Sequence, residues 1–252
     1  SYNPMSRLAY RTNERNRQTT SADLKLKLDI IEGLSVSAFG AHLRDNHNER
    51  YYRSSKDFDN RVGTLYQGMG YASKANLLEW TNTFESTIDY RKTFNDKHTI
   101  TGLLGYSYQY STTETFSANN NGFTTDGFED WNLGAGSAIQ NTSLPRPEMT
   151  SAKEDNKLIA FFGRVNYSYA DKYHFQAILR HEGSSRFGSN HKWGNFPSVS
   201  AGWSINEEEF LKSVSFIDEL KLRIGYGVTG NQDISNYLSL VTLETGGVYP
   251  QN

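Results

Sequence analysis

Asp126-Gly127-Phe128-Glu129-Asp130-Trp131 sets three carboxylates within six residues. Carboxylate oxygens at that density can hold calcium, but the EF-hand spacing is missing, and a solvated acidic loop is the favoured reading. The neighbouring rings carry more information. Trp131, with Phe123 and Phe128, can stack on a sugar face or pack against a partner protein, unless the loop folds over its own aromatics. A second stretch, Gly183-Ser184-Ser185-Arg186-Phe187-Gly188, offers backbone donors that could converge on an anion. The simpler expectation there is an ordered hairpin loop with Arg186 paired to a carboxylate. Trp131, Trp193 and Arg186 are the candidate ligand contacts.

Other chemistry falls away on inspection. Gly225-Tyr226-Gly227-Val228-Thr229-Gly230 fits G-x-G-x-x-G, yet a dinucleotide site needs a helix to begin at the third glycine. Asn231, Asp233, Ser235 and Asn236 follow instead, and Leu220, Leu222, Ile224, Tyr226 and Val228 keep period two through the motif. The glycines therefore belong on the polar side of a strand. His42, His47, His98, His174, His181 and His191 show no H-E-x-x-H and no His–carboxylate spacing of a metal site. No G-x-S-x-G elbow occurs, and the absence of cysteine removes thiol catalysis and Cys-ligated zinc. No catalytic residue, metal ion or cofactor is expected. Glu207-Glu208-Glu209-Phe210-Leu211-Lys212 reads as a short helix capped by Asn206, with a structural role.

The elements that carry these residues are strands. Leu78, Trp80, Phe84, Ile88 and Tyr90 share one parity, broken only by Asn82 and Ser86, while Glu79, Thr81, Thr83, Glu85, Thr87, Asp89 and Arg91 hold the other. In a strand these sets face opposite ways. After Asn95-Asp96-Lys97 the alternation resumes with Ile100, Leu104, Tyr106, Tyr108 and Tyr110. The same pattern predicts strands at 23–29 and 34–43 about Ile31-Glu32-Gly33, and at 158–169 and 173–181 about Ala170-Asp171-Lys172. A last pair, 196–205 and 220–229, flanks a longer link. About eight antiparallel strands emerge, with short turns alternating with long connections at 44–73, 117–156 and 182–195.

Composition agrees. Sixteen Tyr, 14 Phe and 21 Gly beside 5 Pro suit long strands that must keep their backbone donors. No apolar run of about 18 residues exists, so no helix is expected to span a membrane; a membrane barrel, whose strands are apolar on one face only, stays polar on average. Tyr90, Tyr167, Tyr169, Tyr173, Phe175 and Trp203 lie on the apolar parity near short turns, as an interfacial aromatic girdle would. The competing architecture is a soluble β-sandwich, whose inner face also alternates. The net charge of -2, with no basic stripe, gives no reason to expect a nucleic-acid partner. A membrane sheet must close on itself, and loops as long as 117–156 are oversized for a barrel of eight strands, so the chain is expected to be an internal piece of a larger wall.

Residues 180–203, RHEGSSRFGSNHKWGNFPSVSAGW, followed by LKLRIGYGVTGN at 220–231, closely resemble the barrel of the SusC/RagA family of TonB-dependent outer-membrane transporters. The likeness is strongest over 180–233 and extends from about residue 13 onward. It implies an all-β, antiparallel transmembrane barrel of about 22 strands, of which residues 1–252 would be one part. The plug and the TonB-contacting segment would lie outside this chain. It further implies a bacterial outer-membrane location among membrane lipid, a SusD-like surface lipoprotein, energy from the TonB complex, and oligosaccharide or, secondarily, oligopeptide cargo. No enzymatic activity is expected. Glu79, Glu85, Asp89, Arg164, Asn166, Gln176, Arg180 and Arg223 would face a watery lumen. The alternative is an adhesin or structural barrel that binds through its loops and imports nothing.

Overall fold

In a computed structural model, the structure describes residues 5–60, 68–187, 192–211 and 217–230. A short helix, α1 (Met5–Tyr10), leads into β1 (Arg11–Ile31) and β2 (Leu34–Arg53). Then come β3 (Gly70–Phe94), β4 (His98–Phe123), β5 (Met149–Tyr169), β6 (Tyr173–Ser184), β7 (Trp193–Ser204) and β8 (Lys221–Gly227). The strands form one eight-stranded sheet in sequence order, so each pairs with its neighbours in the chain. This up-and-down meander needs only hairpin connections.

The tight turns follow from a few residues. Asn95 and Asp96 both take positive φ (49° and 52°), as do Ala170 and Asp171 (49° and 55°). Two successive left-handed residues match the right-handed twist of the flanking strands and close a two-residue hairpin. Gly33 (φ 80°) turns β1 into β2; a side chain there would run into the Arg91 carbonyl, and the Gly33 carbonyl accepts from the Arg91 N–H at 2.7 Å.

The strands outrun the expected ones. β2 continues ten residues past 43, β1 begins at Arg11, and β4 and β5 reach Phe123 and Met149, deep into the expected loop 117–156. The added stretches lack an apolar face, so alternation could not reveal them. Charge and amide ladders hold them instead. Arg15 reaches Glu49 (3.0 Å), Arg50 reaches Glu14 (2.9 Å), Arg17 pairs with Asp45, and Asn76 donates to Asn46 and Asn48 (2.7 and 2.8 Å).

The chain divides into two compact units. One comprises Ser1–Ala22, Leu43–Thr81 and Ser111–Asp155, and so gathers most of the long connections. Its core is small: Tyr52, Ala72 and Phe123, with Leu133 packed against them. The other comprises Asp23–His42, Asn82–Tyr110 and Asn156–Asn252, with the tight turns. In it the apolar parity is exposed. Leu104 of β4, Phe161 and Val165 of β5, and Phe175 and Leu179 of β6, all on strands paired on both sides, are each about half exposed or more. A β-sandwich would bury that face; a wall meeting lipid would not.

Candidate functional site

The register assigns the two faces of β5–β8. Asn166, Gln176, Ser200 and Gly225 stand in one cross-strand row, and Ser168, His174, Gly202 and Arg223 in the next. This polar face is tied together side chain to side chain. Gln176 Nε2 donates to Asn166 Oδ1 (2.7 Å), Asn166 Nδ2 donates to Thr101 Oγ1 (2.9 Å), and His174 bridges Ser168 and Ser204 at 3.1 Å each. Gly225 and Gly227 lie on this face opposite Ser200 and Ser198, inside β8, in keeping with the strand reading of the G-x-G-x-x-G stretch. A cavity of about 600 Å³ opens beside it, lined by Lys27, Asp29, Asp89, Arg91, Arg164 and Asn166. Ionic and amide groups of both signs suit a wetted channel wall that offers many weak contacts to a polar solute.

Among the described residues, Asp126, Glu129 and Asp130 do not come within metal-ligand reach of one another, and the loop is not simply solvated. Asp126 Oδ1 accepts from the Tyr52 hydroxyl (2.7 Å) and the Ser55 N–H (3.4 Å), and Oδ2 accepts from the Ser54 hydroxyl (2.8 Å). Burial works against its ionisation, but these bonds outweigh that and hold its carboxyl below the usual aspartate range. Asp130 is fully buried, facing Arg50 at 3.7 Å and Lys74 at 3.5 Å. The same two cations stand over the Trp131 ring, 4.5 and 4.6 Å from its centroid, while Trp131 remains 69% exposed. Phe123 folds into the core, so the loop covers one of its aromatics and presents two, Phe128 and Trp131.

The other two candidates lie in the second unit. Arg186 follows β6 in a turn, its N–H donating to Ser184 Oγ at 3.3 Å. Trp193 opens β7 opposite Gly183 on the apolar face, stacked on His181 (4.7 Å between centroids, 8° between planes) and on Phe161 (6.4 Å). Trp131 belongs to one unit and Arg186 and Trp193 to the other, so neither unit by itself holds all three. Gly188 of the loop motif lies outside the described residues.

Two groupings escaped the sequence. Asp45, His47 and Glu79 come within metal-ligand reach of one another, although no His–carboxylate spacing was expected. Asp45 and His47 share a strand face two residues apart, and Glu79 arrives from the next strand, a pairing that only register supplies. Asp45 already carries other partners: the Arg17 guanidinium pairs with it, and it also accepts from Thr19 at 3.0 Å. The second grouping is Glu208. The expected helix from 207 onward is a 3-10 turn at Ile205–Glu207; Ser204, not Asn206, stands at its cap position, and Asn206 Oδ1 accepts the Leu220 N–H instead. Glu208, just past that turn, accepts from Tyr173 Oη (2.7 Å) and Trp203 Nε1 (3.1 Å) and pairs with Lys172 (3.1 Å). These bonds, from Tyr173 foremost, hold its carboxyl below the usual glutamate range. Tyr169, Tyr173 and Trp203 stack in sequence at 6.3 and 6.5 Å, so part of the expected girdle forms one ring ladder clamped at Glu208.

The model of the family described as "TonB dependent receptor-like, beta-barrel" matches residues 1–251. The chain belongs to this family. TonB-dependent receptor P39 of Formosa agariphila is 33% identical over 98% of the chain and 23% of its own length. TonB-dependent receptor SusC of Bacteroides thetaiotaomicron is 45% identical over 96 residues, 38% of the chain and 10% of SusC. Among solved structures, the RagAB peptide importer in its closed-closed state superposes with a TM-score of 0.77 at 25% identity, over 91% of the chain and 24% of that protein. This barrel chain therefore spans about a quarter of the length of P39 and of that RagAB chain, and its eight strands are a fragment of a larger SusC/RagA-type barrel.

Proposed function

We propose that the chain forms part of the wall of an outer-membrane importer for large nutrients, oligosaccharides foremost and oligopeptides second. TonB energises it through segments outside this chain, and a SusD-like surface lipoprotein works with it. The observation that carries this reading is the inversion of the faces: exposed leucines and aromatics on one side, bonded polar groups beside a 600 Å³ cavity on the other. A wall between hydrocarbon and a watery passage needs that arrangement. The names of the relatives as TonB-dependent receptors, and of RagAB as a peptide importer, support the same reading.

Of the three candidate contacts, Trp131 and Arg186 sit in loops, where cargo arrives, whereas Trp193 lies in a strand of the apolar face. Trp131, 69% exposed with Arg50 and Lys74 over its ring, offers its remaining ring surface as a platform for a sugar or peptide group. Stacking on such a ring contributes about 0.5–1.5 kcal/mol. Trp131→Ala in the full-length parent is therefore expected to weaken cargo binding about two- to tenfold in calorimetry, with the barrel intact.

The test of the whole reading is native mass spectrometry of the parent purified gently from outer membranes. A co-purifying lipoprotein with a bound glycan or peptide series is the expected result and names the cargo class. A bare barrel with neither would overturn the importer in favour of an adhesin.

A further inference from the structure

A groove of about 400 Å³ crosses the apolar face of β5–β8, and its walls are almost wholly apolar. Register explains it. Two rows run across the four strands: Tyr167, Phe175, Ala201, Ile224, and beside it Tyr169, Tyr173, Trp203, Leu222. Every member of these rows is large except Ala201, whose methyl leaves a notch between Phe175 and Ile224. The groove lies over this notch, with Phe175, Ala201 and Ile224 all in its lining.

One end of the groove is polar. Tyr173 and Trp203, which line it, both donate to Glu208 Oε1, and Lys172 Nζ lies 3.1 Å from Glu208 Oε2. A carboxylate oxygen takes two donors and an ammonium gives three. Oε1 is therefore saturated, Oε2 has room for one more donor, and Lys172 has two N–H groups beyond the one directed at Glu208. Among the described residues, an acceptor and donors with room for a further partner therefore sit side by side with no net charge, tied to the groove through Tyr173 and Trp203.

We propose that this groove seats one zwitterionic phospholipid bearing a primary ammonium, its acyl chain over Ala201, its phosphate on Lys172 and its ammonium on Glu208. The neutral Lys172–Glu208 pair argues for a zwitterion and against a multiply phosphorylated lipid A headgroup, which would need several unpaired cations. The site rests on the membrane reading above, since an apolar groove this exposed needs hydrocarbon around it.

The test titrates the detergent-purified full-length parent with phosphatidylethanolamine, phosphatidylglycerol or lipid A, and reads retained lipid by native mass spectrometry under collisional activation. One phosphatidylethanolamine is expected to be retained about tenfold more tightly than phosphatidylglycerol. Ala201→Trp, which fills the notch, is expected to abolish that retention. Glu208→Gln, which leaves the groove open and removes the charge that would hold the ammonium, should erase the preference between the two headgroups while keeping weak binding. Retention unchanged in Ala201→Trp, equal binding of phosphatidylglycerol, or displacement by lipid A would each overturn the site. Heat-modifiable migration on gels verifies that each variant is folded. Flotation of the parent with membranes, checked in the same preparation, separates failure of this site from failure of the membrane reading: a parent that floats but shows no selective lipid loses only the site.

Discussion

At the scale of single residues, two carboxylates do more than their surroundings suggested. Asp126 staples the 126–131 loop to Tyr52, Ser54 and Ser55 at the end of β2. Its carboxyl is held below the ordinary range, so the unfolded state binds the proton more readily. The stabilisation is therefore complete above the ordinary aspartate pKa and is lost as pH falls through the lower folded value. Hydrogen exchange of residues 125–131 in the parent, corrected for intrinsic rates, should show protection at neutral pH that declines only in that acid window. Asp126→Ala should remove the protection at every pH and cost about 1–3 kcal/mol locally, because the Tyr52 and Ser54 hydroxyls lose their acceptor. Unchanged exchange in the variant would show that the loop is held by something else. Glu208 plays the equivalent part for the ring ladder of Tyr173 and Trp203.

At the scale of elements, the hairpins and the long strand extensions have different causes. The tight turns depend on backbone stereochemistry. Gly33→Ala places a methyl against the Arg91 carbonyl at a positive φ. The change should destabilise the β1–β2 hairpin by about 1–3 kcal/mol, read as a lower melting temperature of the detergent-solubilised parent. The polar extensions depend on ladders of charge. Arg15 and Glu49 are well exposed, so removing both (Arg15→Gln with Glu49→Gln) should change stability by less than about 1 kcal/mol. A larger loss would mean that this pair, and not the backbone ladder, holds the upper strands.

For the molecule as a whole, the decisive feature is which face meets hydrocarbon. Ile224 of β8 and Gln176 of β6 stand in neighbouring cross-strand rows on opposite faces of the sheet, one apolar and exposed, the other in the amide network. Ile224→Arg in the parent should cost about 2–4 kcal/mol if the position lies near the bilayer centre, and less toward the interface. Gln176→Arg should be close to neutral, since a water-lined face tolerates charge. The measurement is the yield of heat-resistant folded barrel in outer membranes. Equal tolerance at both positions would refute the assignment of the faces.

Much of this was legible in the residues themselves. Alternation at Leu78–Arg91, broken only at Asn82 and Ser86, and at Leu220–Val228 determined strand and face, because a period of two is that of an extended strand. Asn95-Asp96-Lys97 and Ala170-Asp171-Lys172 marked the turns. The resemblance at 180–231 pointed to the family, and the match over 1–251 bore it out. Tertiary structure alone decided the rest. The polar strand extensions lack an apolar side, so their order comes from partners such as Glu49 and Asp45, which are remote in sequence. The clamp on Asp126, the cations over Trp131 and the cluster of Asp45, His47 and Glu79 unite residues 30 to 80 positions apart. Local pattern states which way a side chain points; register between strands states what it meets, and register is a property of the folded sheet.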